Sequence, residues 1–574
     1  CPTDQRDRER TYSYGTSNAA LYEIDLPPRG SHELTFKIPF ITFEGTDGRL
    51  LLAEDNYESK LQETAEYWRS LVNEGDQIEV PDEVVRDFVK ATLPHVAITA
   101  DKNLVAGDYL LPAGTYRYNV CANEAMHQVR ALDYRGHHFR ARKYLEPFLK
   151  YQGTRGMHGK FQSKEGVLHG LRVNDETDYQ TFNYNLDHGF VLFSLAEHYL
   201  FTRDHDWAEG IAGNLIAACD FVTRERRFTC KEDKSGNRVP EYGLLPPGHL
   251  EDNPEWLYWY AVNAYSLRGM PASAETLKCI GQTEADRIAK EAEEYRADIE
   301  QSMILHSQLA PAAVLSYGQL SPFVPTRAQL TSRDLGWIRN SLYGPVHAIE
   351  CGVMDAKSDL ATWILKDTED NVYISKLRGR SIDENNWFSH GGNTIQSGLS
   401  PNVMVYVKRD QPEHAVRCLL NAFAQNIYKD VRCFTEHPVE AFGLGVGPFY
   451  KTPDECCWVN WLRNALLCET GYDELIIGPA IPRDWMQGGS RVAAKDMASW
   501  FGPVTFEISC SQDEQEISAV VHPPVRNAPA EVLLRLRHLR SLPIKSVTIN
   551  GGLASKKFVS SDTITLPGGG IDKI

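Results

Sequence analysis

Apolar residues recur along the middle of the chain with the spacing of a helix face. Val84, Val85, Phe88, Val89 and Leu93 place one apolar stripe on a helix, and Asp82 just ahead of them has the short acceptor side chain of an N-cap. Asp133-Tyr134-Arg135-Gly136, Phe201-Thr202-Arg203-Asp204, Ser266-Leu267-Arg268-Gly269 and Val407-Lys408-Arg409-Asp410 each close one such segment and lead within a few residues into another, with Cys351-Gly352 as a weaker fifth case. These read as the turns of helix hairpins. With a last helix closing at Gly471, the spacing predicts six helix pairs, near 83–96, 124–135, 138–152, 187–203, 206–227, 257–268, 271–305, 343–351, 353–366, 394–408, 411–428 and 455–470.

Turns inside these hairpins are short, whereas 97–123, 153–186, 228–256, 306–342, 367–393 and 429–454 are all long. In a closed ring of inner and outer helices this alternation puts every long connector on one face, at the start of an inner helix, where functional loops belong. The expected fold class is mainly α, a toroid of six helical hairpins over 83–473, with β-sandwich-like segments at both ends. At the amino-terminal end, Leu21–Leu26 and Leu34–Phe40 alternate like strands. They are too few for a sheet of their own, so residues 1–45 are expected to be the remnant or end of a β-sandwich. A linker over 46–82 follows, with an amphipathic helix around Tyr57–Val72. After Gly471, Glu474–Pro479, Val504–Ile508, Ile517–Val521 and Val532–Leu536 read as short strands, so 474–574 is expected to be an all-β domain.

Composition narrows the function classes. The 574 residues are 42% hydrophobic with 10% aromatics, and no run approaches the roughly 20 apolar residues that cross a bilayer. A net charge of -17 disfavours nucleic acid and anionic membranes as partners. The twelve cysteines are scattered without a C-x-x-C pair, which signals neither a disulfide framework nor a zinc site. No H-E-x-x-H spacing exists, histidines 137, 138 and 158 read as loop or surface residues, and no metal or other cofactor is called for. The absence of a G-x-S-x-G elbow weakens a serine hydrolase reading. A start at Cys1 suggests a mature or cut product, secreted or periplasmic, with lipidation of that cysteine and outer-membrane anchoring as an alternative.

Three stretches carry a family resemblance. Tyr242-Gly243-Leu244-Leu245-Pro246-Pro247 is followed by an aromatic helix reaching Leu267-Arg268-Gly269-Met270. Trp458-Val459-Asn460-Trp461-Leu462-Arg463-Asn464 leads to Ile481-Pro482-Arg483-Asp484-Trp485, and Trp500–Phe506 forms the third. In these the chain resembles the bacterial (α/α)6-barrel, or six-hairpin, glycoside hydrolases of the rhamnosidase-like and trehalase-like grouping, over roughly residues 57–525. The resemblance implies hydrolysis of a glycosidic bond in an oligo- or polysaccharide, typically with inversion, by carboxylates on the long loops. One stretch departs from the pattern: several similar sequences show Arg-Asp-Gly entering the second helix, where this chain has Cys121-Ala122-Asn123-Glu124-Ala125.

Inverting hydrolysis needs one protonated carboxyl for the leaving oxygen and one carboxylate about 6.5–9.5 Å away to activate water. Two different long loops can supply that gap. On the third, Glu251 is the first choice for the acid, because Trp256, Tyr258 and Trp259 could desolvate it, and Asp252 and Glu255 compete for the role or bind substrate. On the last, Glu436 is the candidate base and His437 its orienter or a substrate ligand. Glu124 and Asp187 open inner helices and are candidates for catalysis or for holding sugar hydroxyls, although an acid at a helix start is also a favourable cap. Tyr118, Asn185, His188, Trp387 and His390 complete the candidate substrate-binding set, with Trp387 suited to stacking on a sugar ring. The rival classes are a polysaccharide lyase on a similar toroid and a non-catalytic carbohydrate-binding relative, the latter motivated by the altered segment at Asn123.

Overall fold

The computed structural model describes residues 23–38, 48, 50, 52, 55–103, 105–115, 119–171, 184–251, 253, 255–333, 343–373, 389–390, 393–394, 402–439, 444–555 and 559–566. The chain forms two compact units, residues 1–70 and 71–574. In the first, residues 23–38 hold no strand and are exposed throughout. The strands expected at Leu21–Leu26 and Leu34–Phe40 are therefore corrected over their described residues. Alternation makes a strand only where a second edge takes up the backbone hydrogen bonds and a core covers one face, and here Phe36 and Ile38 are exposed.

The helices, in chain order, are α1 (Tyr57–Asn73), α2 (Glu83–Thr99), α3 (Ala122–Tyr134), α4 (His138–Lys150), α5 (Leu186–Thr202), α6 (His205–Arg226), α7 (Tyr260–Cys279), α8 (Ala285–Leu309), α9 (Val346–Glu350), α10 (Asp359–Asp367), α11 (Asn402–Lys408), α12 (Pro412–Asn426) and α13 (Thr452–Leu466). Asp82 caps α2 by accepting the Val85 N–H at 3.1 Å. Helices α3, α5, α7, α9, α11 and α13 each pack on the next, and α13 returns to α3, so their contacts form a closed cycle. Outside it, α4 packs on α3 and α5, α6 on α5 and α7, α8 on α7, α10 on α9, α12 on α11 and α13, and α2 on α13.

Four of the expected turns carry a left-handed residue that ends the helix, at Gly136, Arg203, Gly352 and Asp410. Gly269 does not. Helix α7 runs through it and through Pro271 to Cys279, and the turn falls at Gly281. Gly269 serves contact instead, since a Cβ there would lie 2.6 Å from the Leu192 Cγ of α5. Gly189 of α5 does the same from the other side, where a Cβ would meet the Tyr265 carbonyl carbon at 2.3 Å. With both side chains absent the two helices approach closely, and the Phe190 and Tyr265 rings stack at 4.0 Å. Buried ion pairs add further links between neighbours: Arg130 to Glu197 joins α3 and α5, and Arg268 to Glu350 joins α7 and α9, each at 2.8 Å.

The last long connector is a pair of antiparallel strands, Cys433–Val439 and Leu444–Phe449, in place of the expected loop. Beyond α13 two four-stranded sheets follow. One combines Gln77–Glu79 with Arg491–Met497, Val504–Cys510 and Ile517–His522; the other orders Leu467–Glu469, Glu474–Ile477, Glu531–Arg535 and Thr563–Leu566. These strands belong to the same compact unit as the helices. The reason is local: the first sheet borrows its edge strand from residues 77–79, and Trp500 packs on Tyr134 and Phe201 at the carboxy-terminal ends of α3 and α5.

Gly189→Ala is expected to lower stability by about 1–3 kcal/mol, the cost of overpacking a tight contact, because the new methyl meets backbone that cannot rotate away. The urea midpoint followed by circular dichroism reads this, with Gly213→Ala in α6, which has open space around it and is expected to gain up to about 1 kcal/mol from helix propensity, as the contrasting control.

Candidate active site

The first turns of α3 and α5 and the segments leading into α7, α9 and α13 come together at one rim. Asn123 is the first hub. Its backbone N–H donates to Asp187 Oδ1 at 2.8 Å, and its side-chain Nδ2 donates to Glu251 Oε1 at 2.8 Å and to the Tyr343 hydroxyl oxygen at 2.7 Å. The Tyr343 hydroxyl in turn donates to the same Glu251 Oε1 at 2.7 Å. Burial, then the Glu251 charge, pushes the Tyr343 hydroxyl well above its ordinary range, so it stays a donor.

Lys451 is the second hub, lying just ahead of α13. Its Nζ is 2.7 Å from Glu124 Oε1 and 2.9 Å from Glu436 Oε1, with only 2% of the side chain exposed. Burial works against the ammonium, but Glu124 and Glu436 outweigh it and hold the lysine above its ordinary value. The strand bearing Glu436 is pinned at Phe434, whose N–H donates to Glu455 Oε1 at 3.0 Å and whose carbonyl accepts the Lys451 N–H at 3.2 Å. Glu455 Oε2 lies 2.8 Å from His95 Nδ1, which ties the pin to α2.

Cys121, the residue just ahead of α3, lies within the field of these charges. Burial pushes its thiol well above the ordinary range, and the charges of Glu124, Asp187 and Glu251 add to this while Lys451 opposes it. The four carboxyl groups named from sequence as catalytic candidates therefore occupy one neighbourhood. Their surroundings differ. Glu251 and Glu124 are 8% and 9% exposed, and the Glu436 side chain 15%. Asp187 is buried, and burial pushes its carboxyl up to about 7 against the backbone N–H groups of Asn123 and Ala122, which favour its charge.

The remaining candidates divide. Asn185 clamps main chain, its Oδ1 accepting the His158 N–H at 3.1 Å and its Nδ2 donating to the His158 carbonyl at 2.9 Å. His188 faces away from the site: it is fully buried, its Nδ1 accepts the Leu168 N–H at 3.1 Å, its ring lies against Phe221, and burial lowers it to about 4. Asn185 and His188 thus spend these side-chain atoms on the main chain of the preceding connector. Trp256 is exposed on the rim, and Glu255 is exposed with its N–H bonded to Asn253 Oδ1 at 3.2 Å. Tyr118, Asp252 and Trp387 lie outside the described residues, as do the side chains of His390 and His437. Tyr343 and Lys451 were not singled out in the sequence. Lys451 did carry a signal, since a cation beside a helix N-terminus opposes the dipole and calls for a carboxylate partner. Among the described residues no three His, Cys, Asp or Glu side chains are grouped as a metal ion requires, and no helix is long and apolar enough to cross a membrane.

Replacing Lys451 by Met leaves Glu124 and Glu436 facing each other without their cation. The expected loss is about 3–5 kcal/mol of stability, as for a broken buried ion pair, with part of it restored in Lys451→Met/Glu124→Gln when urea midpoints are compared. Asp187 gives a pH signature. Its folded value near 7 exceeds the unfolded value of about 4, so the folded state binds the extra proton and stability falls as pH rises between the two. Asp187→Asn keeps the acceptor for the Asn123 N–H and is expected to remove that slope, so that the variant gains on the wild type from pH 4.5 to 7.5.

No protein-family model and no curated protein matches the chain. Solved structures that it is similar to in part of the backbone are glycosidases. A glycosidase solved in complex with glucose shares 12% identity over 66% of this chain and 96% of its own, at a TM-score of 0.42. The Streptomyces avermitilis α-L-rhamnosidase complexed with L-rhamnose shares 12% over 86% of this chain and 41% of its own, at 0.47. A bacterial glucoamylase complexed with acarbose shares 12% over 72% and 60%, at 0.45.

Proposed function

We propose that the chain is a glycoside hydrolase that cleaves a glycosidic bond in an oligo- or polysaccharide with inversion, on a six-hairpin toroid spanning 83–473. The closed cycle of α3, α5, α7, α9, α11 and α13 supports the toroid as its inner wall. The observation that carries the function is the convergence of Glu124 and Asp187, from the first turns of α3 and α5, with Glu251 and Glu436, from two separate long connectors, on the two hubs Asn123 and Lys451. Packing alone does not require four carboxyls to meet in one place, and their repulsion has to be offset there.

The acid is Glu251. Asn123 and Tyr343 fix its carboxyl by two donors on Oε1, and in its protonated form it delivers a proton to the leaving oxygen. The base is Glu436. Lys451 holds it in place, and as a carboxylate it takes a proton from the water attacking the opposite face of the sugar. Asp187 and Glu124 act as positioning residues, the first through the Asn123 backbone and the second through Lys451. Because Lys451 also neutralises Glu436, a second reading is a carbohydrate-binding relative that does no chemistry, and sugar binding without turnover on any substrate would identify it.

Incubation with plant, algal and host glycans, followed by NMR of the released sugar, tests the reading. The first-formed product is expected with inverted anomeric configuration, and Glu251→Gln and Glu436→Gln are each expected to lower kcat by about 10²–10⁴-fold. Wild-type turnover in either variant would remove that residue from its role, and a retained anomer would remove the inverting mechanism.

A further inference from the structure

Glu251 stands at the tip of a narrow hairpin. Gly248 and Leu257 exchange both backbone hydrogen bonds at 3.2 Å, and the Leu250 N–H donates to the Asn253 carbonyl at 3.4 Å. One step toward the tip, His249 and Trp256 face each other with ring centroids 6.4 Å apart and planes at 57°. From the preceding connector His158 lies against His249 at 5.7 Å and 28°.

The three rings rest on a backbone that has little freedom. The His249 N–H donates to the His158 carbonyl at 3.0 Å and the Lys160 N–H to the Pro247 carbonyl at 2.9 Å, joining the two connectors. A Cβ on Gly248 would lie 2.4 Å from the His158 carbonyl oxygen, and one on Gly159 would lie 2.3 Å from that of Pro247, so neither glycine can be replaced without parting the loops. Asn185 holds the His158 main chain from below with both ends of its amide. Nothing in core packing calls for this much fixing of side chains that point outward. Trp256 is 49% exposed and both histidines are half-buried, whereas Glu251 on the same hairpin is 8% exposed.

Flat rings held rigidly at an open rim offer what the C–H face of a sugar ring needs, at little entropic cost on binding. We infer that His158, His249 and Trp256 form an outer sugar-binding platform, so that the glycan accepted by this site extends at least one unit beyond the cleaved bond, across the second and third long connectors. The inference rests on the hydrolase reading for the bond that is cleaved, while the platform itself is a claim about binding.

The full-length chain is given cello-, malto-, xylo- and manno-oligosaccharides of two, three and four units. For whichever series is hydrolysed, kcat/KM is expected to rise about ten-fold, equivalent to about 1.4 kcal/mol, from two units to four. His249→Ala and Trp256→Ala are each expected to lower kcat/KM on the four-unit substrate at least five-fold more than on the two-unit one, while His249→Phe, which keeps a ring face, retains the length dependence. Equal losses at every length would overturn the platform. If no series is hydrolysed, the hydrolase reading fails for these sugars, and calorimetric titration of the same four tetrasaccharides decides the platform separately. Binding that weakens about ten-fold in His249→Ala and survives in His249→Phe supports it; binding unchanged in His249→Ala, or no binding of any of the four, overturns it.

Discussion

The site depends on neighbouring helices of the contact cycle running in the same direction. At one end the Asn123 N–H of α3 meets Asp187 of α5, and at the other end Tyr134 of α3 meets Phe201 of α5 with ring centroids 5.3 Å apart. The same sense holds between α5 and α7, where Gly189 lies beside Tyr265 and, further along, the Ala196 carbonyl accepts from Thr276 Oγ1. Parallel helices place their positive ends side by side. That shared field is what lets Glu124 and Asp187 sit in adjacent first turns, nearly buried, where two carboxyls would otherwise repel each other out of the protein.

Within that frame, buried charge serves to set register. Arg130 with Glu197 and Arg268 with Glu350 link neighbouring helices, and the Lys408 ammonium donates to the Glu350 carbonyl at 2.8 Å. Such pairs contribute little net stability over an apolar core of the same shape, but a slip of one residue along either helix would strand a charge without its partner, at a cost of several kcal/mol. Each pair ties the height of one helix to the next, and hence the height at which its first turn meets the rim.

Most helices were legible because their apolar periodicity is a property of each segment alone. Asp82 could be named as a cap for the same reason. Gly269 was misread because a glycine that ends a helix and a glycine that admits a neighbouring helix look alike in one dimension; only Leu192 across the contact tells them apart. The strands expected near Leu34–Phe40 failed for the converse reason, since their pattern needed a partner edge that residues 23–38 lack. In the site, the carboxyls could be singled out by their place at helix starts and on long connectors. Which of the flanking polar groups faced them could not, because Asn185 and His188 differ from Asn123 only in what the fold brings against each side chain.

Lys451 has a further consequence, in time rather than in space. It joins the strand with Glu436, the start of α13 and the first turn of α3, elements from opposite ends of the helical region. A chain made from its amino terminus forms α3 to α7 through local pairings, but Glu124 meets its cation only after α13 has been added and the cycle of contacts has closed. The carboxyl cluster thus acquires its charge balance late, and an unfinished chain holds those groups without the cation that offsets them.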